Sequence, residues 1–152
     1  MLPENYPFNM NPIVRSFLTK ERVCVLSGIL IDGGPHSSTV HYSHQDQPLR
    51  LFFQTWDESM KAQTLTQGQN NKASVVVGFS EQDNLTLQMR GTIRIVSDPD
   101  ELEAIYQIHY SKHPFAEKYK DSNTRFIEFT PTWWRYSDFN FDPEKIIDMT
   151  TP

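Results

Sequence analysis

Leu85-Thr86-Leu87-Gln88-Met89-Arg90-Gly91-Thr92-Ile93-Arg94-Ile95-Val96 is the stretch that decides the fold class. Leu85, Leu87, Met89, Gly91, Ile93 and Ile95 fall on one face of an extended chain, and Thr86, Gln88, Arg90, Thr92 and Arg94 on the other. Strict alternation is the period of a β-strand with one buried face, and a helix cannot sort these residues. The run exceeds an ordinary strand. It is expected to curve around a barrel, with Gly91 easing the bend.

Shorter runs of the same kind lie on both sides. Val23 to Ile31, Ser37 to Ser43, Leu49 to Thr55 and Ala73 to Phe79 read as strands. Asp32-Gly33-Gly34-Pro35 and His44-Gln45-Asp46-Gln47-Pro48 read as turns, so the first three strands are expected to form an antiparallel meander. Thr124 to Phe129 and Trp134 to Phe139 read as two last strands divided by Thr130-Pro131.

The helices are short. Asn11-Pro12 opens one that runs to about Thr19 with Ile13, Val14, Phe17 and Leu18 on one face. Asp57 is placed to cap a second over Glu58 to Gln67, closed by Gly68. Asp98-Pro99-Asp100-Glu101 starts a third, reaching about Ser111, and a further short helix is expected after His113-Pro114, to about Lys120. Residues 1–10 read as an arm and 142–152 as a tail. Tight hairpins with few helices exclude a parallel doubly wound sheet and favour a small antiparallel barrel in one domain over 1–152.

Composition narrows the function classes. The net charge of −5 argues against a nucleic-acid binder, which carries a basic face. The longest apolar run, Val23 to Ile31, is too short to span a bilayer as a helix. No secretion signal is read at the N-terminus, so the cytoplasm is the expected compartment. The lone Cys24 sits in an apolar run and reads as a buried structural thiol. His36, His41 and His44 do not share one strand face and have no Cys or Glu to complete a zinc set, so no metal site is expected. His109 and His113 have helical i, i+4 spacing without the His-Glu-x-x-His context, which favours capping or packing. Walker, Rossmann and Gly-x-Ser-x-Gly patterns are absent, and no carboxylates pair for acid–base work.

The stretch that bears on chemistry is Leu51-Phe52-Phe53-Gln54-Thr55-Trp56-Asp57-Glu58-Ser59-Met60-Lys61. A strand ends at Thr55 and a helix begins shortly after. The free N–H groups of a helix start, with hydroxyls and an ammonium nearby, suit an anion. The plainer reading is that Ser59 only starts the helix and Lys61 lies on a solvated face.

Taken in order, the motifs resemble the FMN-binding split β-barrel superfamily, the pyridoxamine 5'-phosphate oxidase-like proteins. A Pro-x-x-Arg-x-Val-type strand appears here as Pro35-His36-Ser37-Ser38-Thr39-Val40-His41-Tyr42. An aromatic-x-Thr strand end appears as Phe53-Gln54-Thr55, and a Ser-x-Lys helix start as Ser59-Met60-Lys61. The resemblance covers about Ile13 to Phe139, and Tyr110 to Ala116 looks like a segment of small uncharacterised branches.

It implies a mainly β, six- to seven-stranded antiparallel split barrel with short helices. It further implies FMN at the interface of a homodimer, with a small-molecule substrate or electron donor. Ser38, Thr39, Val40, His41 and Tyr42 would line one edge of the flavin. Gln54 and Thr55 would contact the ring or ribityl region, and Ser59, Met60 and Lys61 flank the phosphate. Thr86 would reach the cofactor from the other subunit, and Trp134 or its neighbour Trp133 would cover the ring.

Two family arginines are replaced, by Ser38 and Met60, which removes two cations unless Arg15, Arg90 or Arg94 substitutes. The C-terminal arginine–histidine signature for pyridoxal phosphate is also absent, so pyridoxamine phosphate oxidation is not expected. The expected function is an FMN-dependent oxidoreductase, in which His41, Tyr42 or Arg90 could tune the flavin. The rival is a non-catalytic carrier of flavin, deazaflavin or haem on the same fold.

Overall fold

The computed structural model describes residues 10–66 and 70–151. Its strands are β1 (Val23–Ile29), β2 (Pro35–His41), β3 (Ser43–Asp46), β4 (Leu49–Trp56), β5 (Lys72–Val77), β6 (Leu85–Val96), β7 (Thr124–Asp138) and β8 (Lys145–Asp148). The α-helices are α1 (Pro12–Lys20), α2 (Met60–Thr66) and α3 (Pro99–Lys112), with a 3-10 helix over Pro114–Tyr119. The sheet order is β2-β1-β5-β6-β7-β4-β3, every pairing is antiparallel, and β8 adds to β7. The result is a curled, mainly β half-barrel whose two edges, β2 and β3, are not paired with each other.

β6 is the alternating strand of the sequence, with Leu87, Met89 and Ile93 buried and Gln88, Arg90 and Arg94 exposed. The inward faces of the sheet and α1 enclose the main core, where Val14, Phe17 and Leu18 meet Leu51, Phe53, Leu87 and Trp134. α3 covers the opposite side of β4, β6 and β7 through Ile105 and Tyr110 against Phe52, Val96 and Phe126. β4 therefore buries both of its faces, which explains the unbroken apolar run Leu51-Phe52-Phe53.

The expected three-strand meander does not form. β2 turns back on β1, but β4 lies between β7 and β3, on the other flank of the sheet. The chain crosses the open side of the barrel at Tyr42. Its side chain is fully buried there, and its hydroxyl donates to the Leu18 carbonyl at 2.7 Å. The strand expected over Ser37 to Ser43 thus ends at His41, and much of the expected turn is β3. Ser43, His44, Gln45 and Asp46 pair with Phe52, Leu51, Arg50 and Leu49. Polar side chains hid this strand; His44 stays inside it by a 3.0 Å contact from Nε2 to the Asp46 carboxylate.

The two last strands are one. Thr130-Pro131 does not break β7, because the register shifts there: Arg90 faces Trp133 while Gly91 faces Pro131. Thr132 is the extra residue of a β-bulge, a position that tolerates proline. Gly91 is required at this point because a Cβ would collide with the Thr130 carbonyl. The expected tail contains β8, whose Ile147 joins the core. At α2 the cap is Ser59 rather than Asp57: its hydroxyl accepts from the Ala62 N–H at 3.2 Å, while Asp57 faces Arg125 at 3.6 Å. The Gly68 stop and the N-terminal arm before Met10 lie outside the described residues. α3 starts as expected, with the Asp98 carboxylate accepting from the Glu101 N–H at 2.9 Å.

Candidate functional site

β2 is an edge strand, so one side of its backbone has no strand partner. That edge, the end of β4, the start of α2 and the end of α3 enclose an open groove of about 690 Å³. Its size suits a cofactor or drug-sized ligand. Ser38, Thr39, Val40 and His41 line it from β2, Gln54 and Thr55 from β4, and Lys61 from α2. Seven of the residues singled out in the sequence thus converge on one concavity, from three separate elements.

Two of these residues carry unmet hydrogen-bonding capacity. Ser38 Oγ and Gln54 Oε1 are buried without a hydrogen-bond partner among the described residues. The Gln54 side chain is anchored by its amide, which donates to the Ala116 carbonyl at 3.2 Å. Buried polar atoms are normally paired, and exceptions call for a reason. Lys61 has an unmet charge. It is half-buried, no carboxylate pairs with it among the described residues, and burial lowers its pKa. Its ammonium lies 5.7 Å from the Trp56 ring centroid. Thr55 and Ser59 are buried and bonded to each other, Thr55 Oγ1 donating to Ser59 Oγ at 2.9 Å, which fixes the turn into α2.

The other candidates lie elsewhere. Tyr42 is buried beneath the groove, with the Lys112 ammonium 4.1 Å from its ring centroid. Met60 is exposed and does not line the groove. Thr86 is half-buried on β6, opposite Ser137 of β7 and outside the groove. Trp134 is packed in the core, 2 % exposed, so the outward member of the pair is Trp133, with the Arg90 guanidinium 4.7 Å from its ring centroid. None of the three arginines that might replace the lost cations lines the groove. Arg15 pairs with Asp46 at 2.8 Å, Arg94 pairs with Glu101 and Glu128, and Arg90 stacks on Trp133.

The far wall was missed in the sequence. His109, Phe115, Ala116 and Tyr119 line it, together with Trp56, Asp57, Glu58 and the loop at Asp121 to Thr124. Trp56, Phe115 and Tyr119 are exposed aromatics, and aromatic side chains left at a groove mouth are the one signal that could have found this wall. His41 meets Phe115 and His113 edge-on, with centroids 5.3 and 5.1 Å away. His113 caps α3 and is fully buried. Its Nε2 lies 2.7 Å from the Tyr42 carbonyl, which can only accept, so this nitrogen carries the proton. Nδ1 then accepts from Arg22 at 3.2 Å. His109 Nδ1 lies 2.7 Å from the Ser43 hydroxyl. Burial lowers the pKa of all three histidines, that of His109 to about 3, and neighbouring positive charge adds to the effect. The lowered values favour the neutral imidazoles, whose contacts here are packing and hydrogen bonds. Among the described residues no cluster suits a metal ion.

The family model described as Pyridoxamine 5'-phosphate oxidase matches residues 10–138. The chain belongs to the pyridoxamine 5'-phosphate oxidase family. No curated protein matches the sequence. Among solved structures, a pyridoxamine 5'-phosphate oxidase-related, FMN binding protein from Nostoc punctiforme is similar at TM-score 0.66 and 16% identity, covering 90% of this chain and 89% of that one. A heme binding protein from Mycobacterium smegmatis is similar at TM-score 0.72 and 17% identity, covering 90% of this chain and 55% of that one. A conserved hypothetical protein from Mycobacterium tuberculosis is similar at TM-score 0.68 and 18% identity, covering 85% of both chains. At these identities the likeness establishes the split-barrel fold. No helix among the described residues is long and apolar enough to cross a membrane.

Proposed function

We propose that this member of the pyridoxamine 5'-phosphate oxidase family binds FMN in the groove and acts as a flavoprotein oxidoreductase. The observation that carries the reading is the coincidence of three unmet groups on one concavity: the Lys61 charge, Ser38 Oγ and Gln54 Oε1. Each is a group that a polar ligand with an anionic moiety would match. Lys61 and Ser38 would hold the phosphate, while Gln54 and the free edge of β2 at Thr39 to His41 would supply hydrogen bonds to the rest of the flavin. Ser59 and Thr55 act by fixing the turn that presents Lys61. Trp56, Phe115 and Tyr119 offer flat apolar surface to a planar ring.

Bound flavin would supply the electron-transfer chemistry, and the protein would supply position, electrostatics and exclusion of water. A homodimer is part of the proposal. Thr86, which the family resemblance assigns to a partner's site, lies on β6 outside its own groove.

The test is an absorbance spectrum after incubation with FMN and desalting. Flavin bands that survive, and are weakened in Lys61→Ala, support the reading. Their absence at micromolar protein overturns it. A second reading, a haem carrier, draws on the Mycobacterium smegmatis neighbour and on neutral imidazoles at the groove. An intense Soret band on adding haem, lost in His41→Ala, would favour it.

A further inference from the structure

We propose a second ligand site between α3 and the 3-10 helix, a pocket that takes a small zwitterion of the free α-amino acid class. It is separate from the groove and independent of the FMN reading, because the two share no lining residue. The pocket has a volume of about 300 Å³, at the lower end of small-molecule sites. α3 supplies Glu103, Tyr106, Gln107 and Tyr110, and the 3-10 helix and its cap supply Glu117 and Lys120. The same short helix lines the groove with Phe115, Ala116 and Tyr119, so the two cavities stand back to back.

The observation that carries the site is the Tyr110 hydroxyl. Tyr110 is 9 % exposed, and its oxygen is buried with no hydrogen-bond partner among the described residues. The ring is fixed by Tyr106, stacked with centroids 5.8 Å apart, and by Phe126, edge-on at 6.0 Å. Burial first, then Tyr106 and Glu117, push the pKa of Tyr110 up to about 12, so the hydroxyl keeps its proton. Both of those neighbours are pocket residues, which places the hydroxyl on the pocket side of the ring. A buried donor without an acceptor is rare and calls for a reason.

The charges of the lining are also unmatched. Glu117 and Lys120 are three residues apart at the end of a 3-10 helix, where side chains at i and i+3 eclipse. Neither forms an ion pair among the described residues. The Lys120 ammonium lies 3.7 Å from the Tyr106 ring centroid instead. Glu103 accepts from the Gln107 amide at 3.2 Å and keeps acceptor capacity to spare. A simple anion would meet two carboxylates here, and a simple amine would leave the phenol and Lys120 unmatched. A carboxylate and an ammonium on one carbon match them all: the carboxylate accepts from Tyr110 Oη and Lys120, and the ammonium donates to Glu117 and Glu103. Glu117 and Lys120 are exposed rim side chains, and they yield as the ligand reaches the hydroxyl.

The test is a titration of the full chain followed by the NMR resonances of its tyrosine rings, with Tyr110 assigned through Tyr110→Phe. The probes are L-alanine and L-phenylalanine, a small and a large side chain on the same zwitterion. Each is compared with its amine, ethylamine or phenethylamine, and with its acid, propionate or 3-phenylpropionate. The expected result is a saturable shift of the Tyr106 and Tyr110 rings with at least one amino acid, and affinities for its amine and acid that are each about tenfold weaker. Tyr110→Phe should weaken the amino acid about tenfold while leaving the urea midpoint unchanged or higher, since the hydroxyl it removes has no partner in the empty pocket. Lys120→Gln should bring the amino acid down to the level of its amine, and Glu117→Gln down to the level of its acid.

No saturable shift with either amino acid up to millimolar concentration overturns the site. An amine or acid that binds as well as its amino acid overturns the ligand class. A clear loss of stability in Tyr110→Phe shows that the hydroxyl is already paired and removes the observation on which the site rests. Each of these outcomes leaves FMN binding in the groove untouched.

Discussion

Two neighbouring regions of this molecule treat their polar atoms in opposite ways. Where β3 meets the end of α3, the histidines and Lys112 have matches, although the buried Tyr110 hydroxyl of α3 has none among the described residues. His113 bonds Tyr42 and Arg22, His109 bonds Ser43, and Lys112 donates to the Leu18 carbonyl at 2.9 Å. Where β2 faces β4, Ser38 Oγ and Gln54 Oε1 are left over, and Lys61 pairs with no carboxylate among the described residues, although Asp57, Glu58 and Asp121 line the same groove. Both regions are polar and both lie beside the same groove. Satisfaction separates them: a finished network fixes structure, and an unfinished one is waiting for something.

Substitutions should break this contrast in opposite directions. His113→Ala empties a fully buried position and leaves the Tyr42 carbonyl and Arg22 unmatched. It should cost about 3 kcal/mol or more, seen as a lower urea midpoint. Lys61→Ala, on the unfinished side, should change folding stability little. It should weaken FMN by about tenfold to a hundredfold in fluorescence titration, as expected for a lost charge-assisted contact. A fall in stability as large as that of His113→Ala would mean that Lys61 is structural.

The acid limb of stability sharpens the comparison. His109 is held neutral, its pKa lowered from 6.5 to about 3. As pH falls below 6.5 the unfolded chain takes up a proton that the folded protein refuses, so stability declines, by up to about 1.4 kcal/mol per pH unit from this group. Above 6.5 the contribution is flat. Urea midpoints measured from neutral pH downward should show this slope, and His109→Gln should reduce it. The smallest effect belongs to Ser38→Ala, which removes an orphan hydroxyl. Stability should stay within about 0.5 kcal/mol or rise slightly. A clear loss would reveal a hydrogen-bond partner and remove one support of the FMN site.

How much of this was legible in the sequence depended on the kind of signal. β6 and the start of α3 were readable because alternation and capping are local. β3 was not, since Ser43 to Asp46 carries no apolar period and is held as a strand by β4. The union of the last strands was hidden by Pro131, which a bulge accommodates only because Gly91 leaves room across the ladder. The near wall of the groove was found through ordered motifs. The far wall comes from the 3-10 helix after α3, brought there by long-range packing that no spacing announces.

β7 has a consequence for how the protein is made. Among the described residues it is the sole ladder joining β2-β1-β5-β6 to β4-β3, and it begins at Thr124. Until that segment leaves the ribosome, the two flanks are expected to lack the ladder that bridges them. Pairing between residues far apart along the chain is slow and leaves edges exposed meanwhile. A nascent chain stalled before Thr124 should therefore be sensitive to protease and bind chaperones, and release of the next fifteen residues should convert it to a resistant form in one step.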